Sequence, residues 1–189
     1  MTVGALILAA GFSRRYGGPK LNAILPSGKT VFAQTHARLV AAIPEVHVVT
    51  RPELVSCILP HSKNIHVFEN SELGMGASLA YGVARLPTHW DACLVCLGDM
   101  PYIATDTYHT IADRADTEHI VVPFHAGKPG NPVAFGRKFF EELSQLSGDN
   151  GGRIIVNKNP LAVIELTADD SAILFDIDTP ADLSAAPES

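Results

Sequence analysis

The stretch Val3-Gly4-Ala5-Leu6-Ile7-Leu8-Ala9-Ala10-Gly11-Phe12-Ser13-Arg14-Arg15-Tyr16-Gly17-Gly18-Pro19-Lys20 joins a short apolar run to a glycine-punctuated, cationic loop. The run reads as a buried first strand over residues 3–9. It is too short to cross a bilayer, has no basic region before it and runs straight into the loop, so it is read as neither signal peptide nor membrane anchor. Glycines let backbone N–H groups close on an anion, while Arg14, Arg15 and Lys20 supply charge to several phosphate oxygens at once. The loop therefore predicts a nucleoside triphosphate as ligand.

Charge distribution points the same way. Residues 1–44 hold five basic and no acidic side chains, a formal +5, whereas the remainder holds 9 basic and 20 acidic ones, or −11. A basic quarter in a chain of net charge −6 suits a local anion site; a nucleic-acid surface is excluded, because the whole would repel a long phosphate backbone. Lys29 and Arg38 are read as solvated surface cations rather than as part of that site. With 189 residues, 47% of them hydrophobic, the chain suits a single domain over 1–189 with a core of its own.

Three cysteines, an odd number, fit a reducing, cytoplasmic setting better than a disulfide framework. Cys93 and Cys96 form a CxxC pair inside an apolar run, where positions i and i+3 of a strand face opposite ways and cannot share an ion. The eight histidines show no metal-binding spacing and read as surface or packing residues.

Short apolar runs alternate with helical patterns, the signature of repeated β-α units and a mostly parallel sheet. Strands are expected near residues 3–9, 46–50, 66–69, 92–97, 120–123, 132–135 and 162–166. Helices are expected near 30–42, 77–85, 105–115, 137–146 and 151–157, with a short one opening at Thr179-Pro180. The Gly/Pro-rich residues 124–131 are expected to leave the sheet on the substrate side.

Two phosphate motifs are incomplete. Gly28-Lys29-Thr30 resembles the end of a P-loop, but Ala23 stands where that pattern needs glycine and Pro26 interrupts a feeding strand. Gly74-Met75-Gly76-Ala77-Ser78-Leu79 begins like a dinucleotide fingerprint, with Leu79 in place of the third glycine. It reads equally as an anion or ribose contact at a helix N-terminus and as a tight turn capping a helix.

Carboxylates complete the picture. Asp99, in Gly98-Asp99-Met100-Pro101, ends a predicted strand; ligands of open α/β sheets bind beyond such ends, where a carboxylate can hold Mg²⁺ against phosphate oxygens. A plain turn explains the same residues. In Asp176-Ile177-Asp178-Thr179-Pro180-Ala181-Asp182, Thr179 and Asp182 suit a helix start, Asp178 is the candidate second metal carboxylate, and Asp176 is assigned to a strand edge formed by residues 173–175.

The ordered set Leu8-Ala9-Ala10-Gly11-x-Ser13-x-Arg15-x-Gly17-x-x-Lys20, Gly74 to Leu79, Gly98-Asp99-Met100-Pro101, Gly130-Asn131-Pro132-Val133, Gly148-Asp149-x-Gly151-x-Arg153 and Asp176 to Pro180 resembles the MobA-like nucleotidyltransferases, most of all the molybdopterin cytidylyltransferases. The resemblance implies a Rossmann-like three-layer α/β/α sandwich of the nucleotide-diphospho-sugar transferase type. It implies transfer of a nucleotidyl group from an NTP to the phosphate of a small acceptor, with release of pyrophosphate. Arg15, Lys20 and Asp99 would then be catalytic. Leu8, Ala9, Ala10, Gly11, Ser13, Gly74, Gly76 and Ser78 would join them in nucleotide binding. Asp99 and Asp178 would hold Mg²⁺, and Met100, Pro101, Gly130, Asn131 and Pro132 would meet the acceptor.

The Leu8-Ala9-Ala10-Gly11 form resembles that of pyrimidine users, implying CTP rather than GTP. Asn131 departs from the histidine usual in that motif; it keeps a hydrogen-bonding side chain without the charge. Molybdopterin is the implied acceptor, with a molybdoenzyme as the partner that takes up the product. Another phosphorylated metabolite, a guanylyl transfer, or a nucleotide-binding accessory protein without turnover are the alternatives.

Overall fold

The computed structural model describes residues 1–185. β1 (Val3–Ala9) lies at its centre, and its alternating side chains divide the core: Ala5, Ile7 and Ala9 enter one apolar cluster, Leu6 the other. β2 (Val46–Thr50) and β4 (Ala92–Leu97) pair with it in parallel, one on each side, and β3 (Ile65–Val67) extends the β2 edge. Beyond β4 come β7 (Val133–Gly136), antiparallel to both its neighbours, then β5 (Ile120–His125), with β8 (Val163–Thr167) parallel to β5. Phe124 pairs with Thr167 of β8 and with Pro129 of β6 (Lys128–Pro129), so β6 and β8 occupy opposite edges of β5.

Both faces are covered. α1 (Val31–Ala42), α2 (Val55–Ile58) and α4 (Thr105–Arg114) bury Phe32, Leu39, Ile58, Tyr108 and Ile111 against one face. α3 (Met75–Val83), α5 (Phe140–Ser144) and α6 (Arg153–Lys158) bury Leu79, Val83, Leu143 and Ile155 against the other. This is the three-layer α/β/α sandwich with a mostly parallel sheet. Cys93 and Cys96 fall into the two different clusters, and burial pushes both thiols well above their ordinary pKa. None of the helices among the described residues is long and apolar enough to cross a membrane.

Four local expectations are corrected. Residues 124–131 do not leave the sheet: β5 continues to His125 and turns through Ala126-Gly127 into β6, because a two-residue turn with both φ positive matches the twist of a hairpin. The helix expected over 137–146 is a 3₁₀ turn, Arg137–Phe139, followed by α5. Residues 173–174 end a 3₁₀ turn, Ser171–Leu174, opened by the Asp170 carboxylate accepting from the Ala172 N–H, so Asp176 stands at no strand edge. Arg38 is no solvated cation: its guanidinium donates to the carbonyls of Tyr102 and Ile103 and so ties α1 to the loop after Asp99.

Candidate functional site

β1 and β4 end side by side, since Leu8 pairs with Leu97 and the Gly98 N–H donates to the Leu8 carbonyl at 3.0 Å. The loop leaving β1 folds on itself: Tyr16 and Gly17 N–H groups both donate to Ser13 O, at 3.0 and 3.2 Å. Closing that turn puts Gly17 at φ +79°, a conformation open to glycine without a Cβ clash. Leu21, buried in the core, anchors the short 3₁₀ turn Lys20–Asn22 that carries Lys20 back over the strand ends.

Lys20 Nζ stands 2.6 Å from Asp99 Oδ2 and 3.1 Å from Asp178 Oδ1, while Arg15 Nη1 reaches Asp178 Oδ2 at 2.5 Å. Burial pulls the Lys20 ammonium down, but the Asp99 charge and hydrogen bonds, then those of Asp178, outweigh it and leave its pKa raised. Asp178 is held in place from behind. The Asp182 carboxylate accepts from the N–H groups of Asp178 and Thr179 and from the Thr179 hydroxyl, which keeps Asp182 below the usual carboxylate range. The Ile177 N–H donates to the Asp99 carbonyl at 2.9 Å, locking the two acidic segments together.

Asp176 joins them. Carboxylate oxygens of Asp99, Asp176 and Asp178 lie within 4.8 Å of one another, and burial followed by the charges of Asp99 and Asp178 raises the Asp176 pKa. Asp99 Oδ1 is buried with no hydrogen-bond partner among the described residues. Three convergent carboxylates, one of which carries an orphaned oxygen, fit a divalent cation such as Mg²⁺.

A cleft of about 500 Å³ runs along these groups, lined by Leu8, Ala9, Ala10, Gly11, Ser13, Arg14, Arg15, Lys20, Gly74, Ser78, Asp99 and Asp178 among the expected residues, and also by Phe12, Asp149 and Asp176. Gly74 adopts φ +104°, and a Cβ there would lie 2.4 Å from Asp149 Oδ1, so only glycine admits the 148–149 turn against α3. Gly76 is not on the wall: its N–H donates to Gly148 O at 2.8 Å, a packing contact.

A second cavity, about 870 Å³, adjoins the first through Leu8, Met75, Leu97 and Asp176. Met100, Gly130 and Asn131 line it, with Arg153 and a largely apolar wall that includes Val95, Val122 and Phe135. Pro101 and Pro132 are buried and are not part of its lining. Asp176 and Asp149 carried no ligand or metal assignment from sequence. The Asp-Ile-Asp spacing was the available signal for Asp176: with Ile177 fully buried, its two neighbours point the other way, as in any extended segment.

The MobA-like NTP transferase domain matches residues 5–163. The molybdenum cofactor cytidylyltransferase of Escherichia coli K12 is 23% identical over 188 residues, 98% of this chain and 96% of that protein. Among solved structures, Rv0371c of Mycobacterium tuberculosis H37Rv superposes with a TM-score of 0.83 and 30% identity over 96% of this chain and 95% of its own. The same protein in complex with manganese gives 0.79 and 27%, over 96% and 95% of the two chains. Domain match, cytidylyltransferase relative and superposition agree, and the chain belongs to the MobA-like NTP transferase domain family, nucleotidyltransferases related to the cytidylyltransferases.

Proposed function

We propose that residues 1–189 act as one cytoplasmic NTP transferase unit that moves CMP from CTP to the phosphate of molybdopterin and releases pyrophosphate. The observation that carries this reading is the convergence of Lys20 and Arg15 with Asp99 and Asp178 where β1 and β4 end, beside a second cavity large enough for an acceptor. The E. coli relative of that name supports the choice of nucleotide and acceptor.

An oxygen of the acceptor phosphate attacks the α-phosphorus of CTP; the new P–O bond forms as the bond to the β-phosphate bridging oxygen breaks and pyrophosphate leaves with its electron pair. A phosphomonoester is already largely ionised near neutral pH, its second pKa being about 6, so the nucleophile needs no Ser-His or Cys-His pair. What remains for the protein is to bring two anions into line and to neutralise the leaving group. Arg15 and Lys20 move their charge from Asp178 and Asp99 onto the triphosphate, and N–H groups around Ala10 and Gly11 cradle it. Asp99, Asp176 and Asp178 would hold Mg²⁺, which would supply positive charge to the phosphate oxygens. Gly74 and Ser78 hold the base and ribose, while Met100, Gly130 and Asn131 meet the acceptor.

Pyrophosphate release from CTP, GTP, UTP and ATP with Mg²⁺ and molybdopterin tests the whole reading. Turnover with CTP alone supports it, and a preference for GTP overturns the nucleotide. Asn131 favours a second reading, transfer to a different phosphorylated metabolite, because it gives the acceptor wall an uncharged amide in the place of an ionisable ring. Tight CTP binding without turnover on molybdopterin would select it.

A further inference from the structure

Arg51 follows β2 at the same end of the sheet as the cleft, and neither the fold nor the proposed chemistry uses it. Its side chain is only 14% exposed, and among the described residues its Nε is buried with no hydrogen-bond partner and its ionic contact is a 3.6 Å approach to Glu53. A guanidinium taken out of water ordinarily finds oxygen acceptors. Here its carbon lies 4.5 Å from the centroid of the Phe12 ring, inside cation–π range. Arg14 is 6.0 Å from the same ring, at the outer limit of such contacts. Phe12 itself is 40% exposed and lines the cleft together with Ser71, Glu72 and Gly74. The loop thus carries a partly exposed aromatic ring at the cleft wall with the Arg51 guanidinium over one face.

The place of that ring in the sheet gives it an occupant. β2 and β4 flank β1 on opposite sides. Phe12 with Arg51 stands on the β2 side, and Lys20 with Asp99 on the β4 side. The two flanking strands are two strand spacings apart, about 10 Å. A nucleotide whose triphosphate lies on the β4 side and whose long axis crosses the end of β1 brings its planar base to the β2 side. A cation on one face of a ring draws electron density toward itself, so the opposite face is better suited to a π-rich partner. We infer that the face of Phe12 turned away from Arg51 is the surface on which the nucleobase stacks, with Arg51 positioning the ring. This rests on the nucleotidyltransferase reading above and assigns the base end of that site.

Two variants test it. Phe12→Ala should weaken CTP binding by about 5- to 140-fold in calorimetry, the range of base–aromatic stacking, and leave Mg²⁺–tripolyphosphate binding unchanged. Phe12→Trp should retain CTP affinity and show indole quenching on saturation with CTP but not with tripolyphosphate. The single native tryptophan, Trp90, is fully buried and gives a constant background. Arg51→Met should reduce CTP affinity by less than Phe12→Ala does. Parent-like CTP binding by Phe12→Ala, equal loss for CTP and tripolyphosphate, or indole emission that CTP leaves unquenched in Phe12→Trp each overturns the stacking surface while leaving transfer intact. A parent protein that binds tripolyphosphate and no nucleotide overturns the function reading and this inference with it.

Discussion

The two ends of the central sheet are built to opposite rules. At the amino ends of its parallel strands, Trp90 is fully buried against Gly4, where a Cβ would stand 2.1 Å from the ring, and its Nε1 donates to Glu45 Oε2 at 2.6 Å. His89 approaches the same carboxylate at 3.0 Å, and the Thr2 N–H donates to Asp91 at 2.8 Å. His47 meets Trp90 edge-on and lies 2.8 Å from a ring nitrogen of His66. The polar atoms there have partners, and the apolar ones are packed. At the carboxyl ends, Asp99 Oδ1 and Arg51 Nε are buried without partners among the described residues, three carboxylates crowd together, and one ammonium is shared between two of them. Similar residue types are present at both ends; what differs is satisfaction. An end closed on itself stabilises the fold, and an end left incomplete has bonds to give to a ligand.

Each contrast can be broken separately. The largest effect is expected at the open end: Asp99→Asn should lower turnover by on the order of 10³-fold while circular dichroism shows a native fold, and full activity would remove Asp99 from the chemistry. Trp90→Ala should do the reverse, costing about 3–5 kcal/mol in urea unfolding with unchanged CTP affinity of the folded protein. Lys20→Ala should weaken nucleotide binding about 10- to 100-fold, as expected for lost bonds to a charged group, against little change for the exposed Lys29→Ala. The reverse order would revive a P-loop at Gly28-Lys29-Thr30.

The smallest effect is one of pH and belongs to neither end. Burial first, then the neighbouring His61, pushes the His36 pKa below its ordinary 6.5. The unfolded chain therefore binds the proton more readily, so stability should fall as pH drops through about 6.5 and be flat above it. Thermal melts of His36→Gln should lose part of that acid slope; an unchanged slope would exonerate His36.

What could be read from sequence follows the same division. The first strand and its loop were legible because an apolar run, a glycine pattern and three cations sit within eighteen residues. Asp99 was legible because the end of a parallel strand is a place that ligands use. Asp176 was not, because Ile173-Leu174-Phe175 has the composition of a strand while the Asp170 cap turns the chain there into a 3₁₀ helix. Arg51 was not, because the ring it covers lies far back in the sequence and only the parallel pairing of β1 with β2 brings them together. Arg38 misled for a like reason: its acceptors are carbonyls beyond Asp99, which a charge pattern does not reveal.

The bond from the Ile177 N–H to the Asp99 carbonyl joins segments 78 residues apart, and the contact of Arg15 with Asp178 spans 163. Contacts of such separation carry a large loop-closure entropy and form after local ones. On the ribosome, the sheet from β3 to β4 can assemble while the acidic segment is still inside the exit tunnel. The crevice acquires its second and third carboxylates only when residues 176–178 emerge, so a nascent chain has the loop after β1 well before it has the complete acidic cluster.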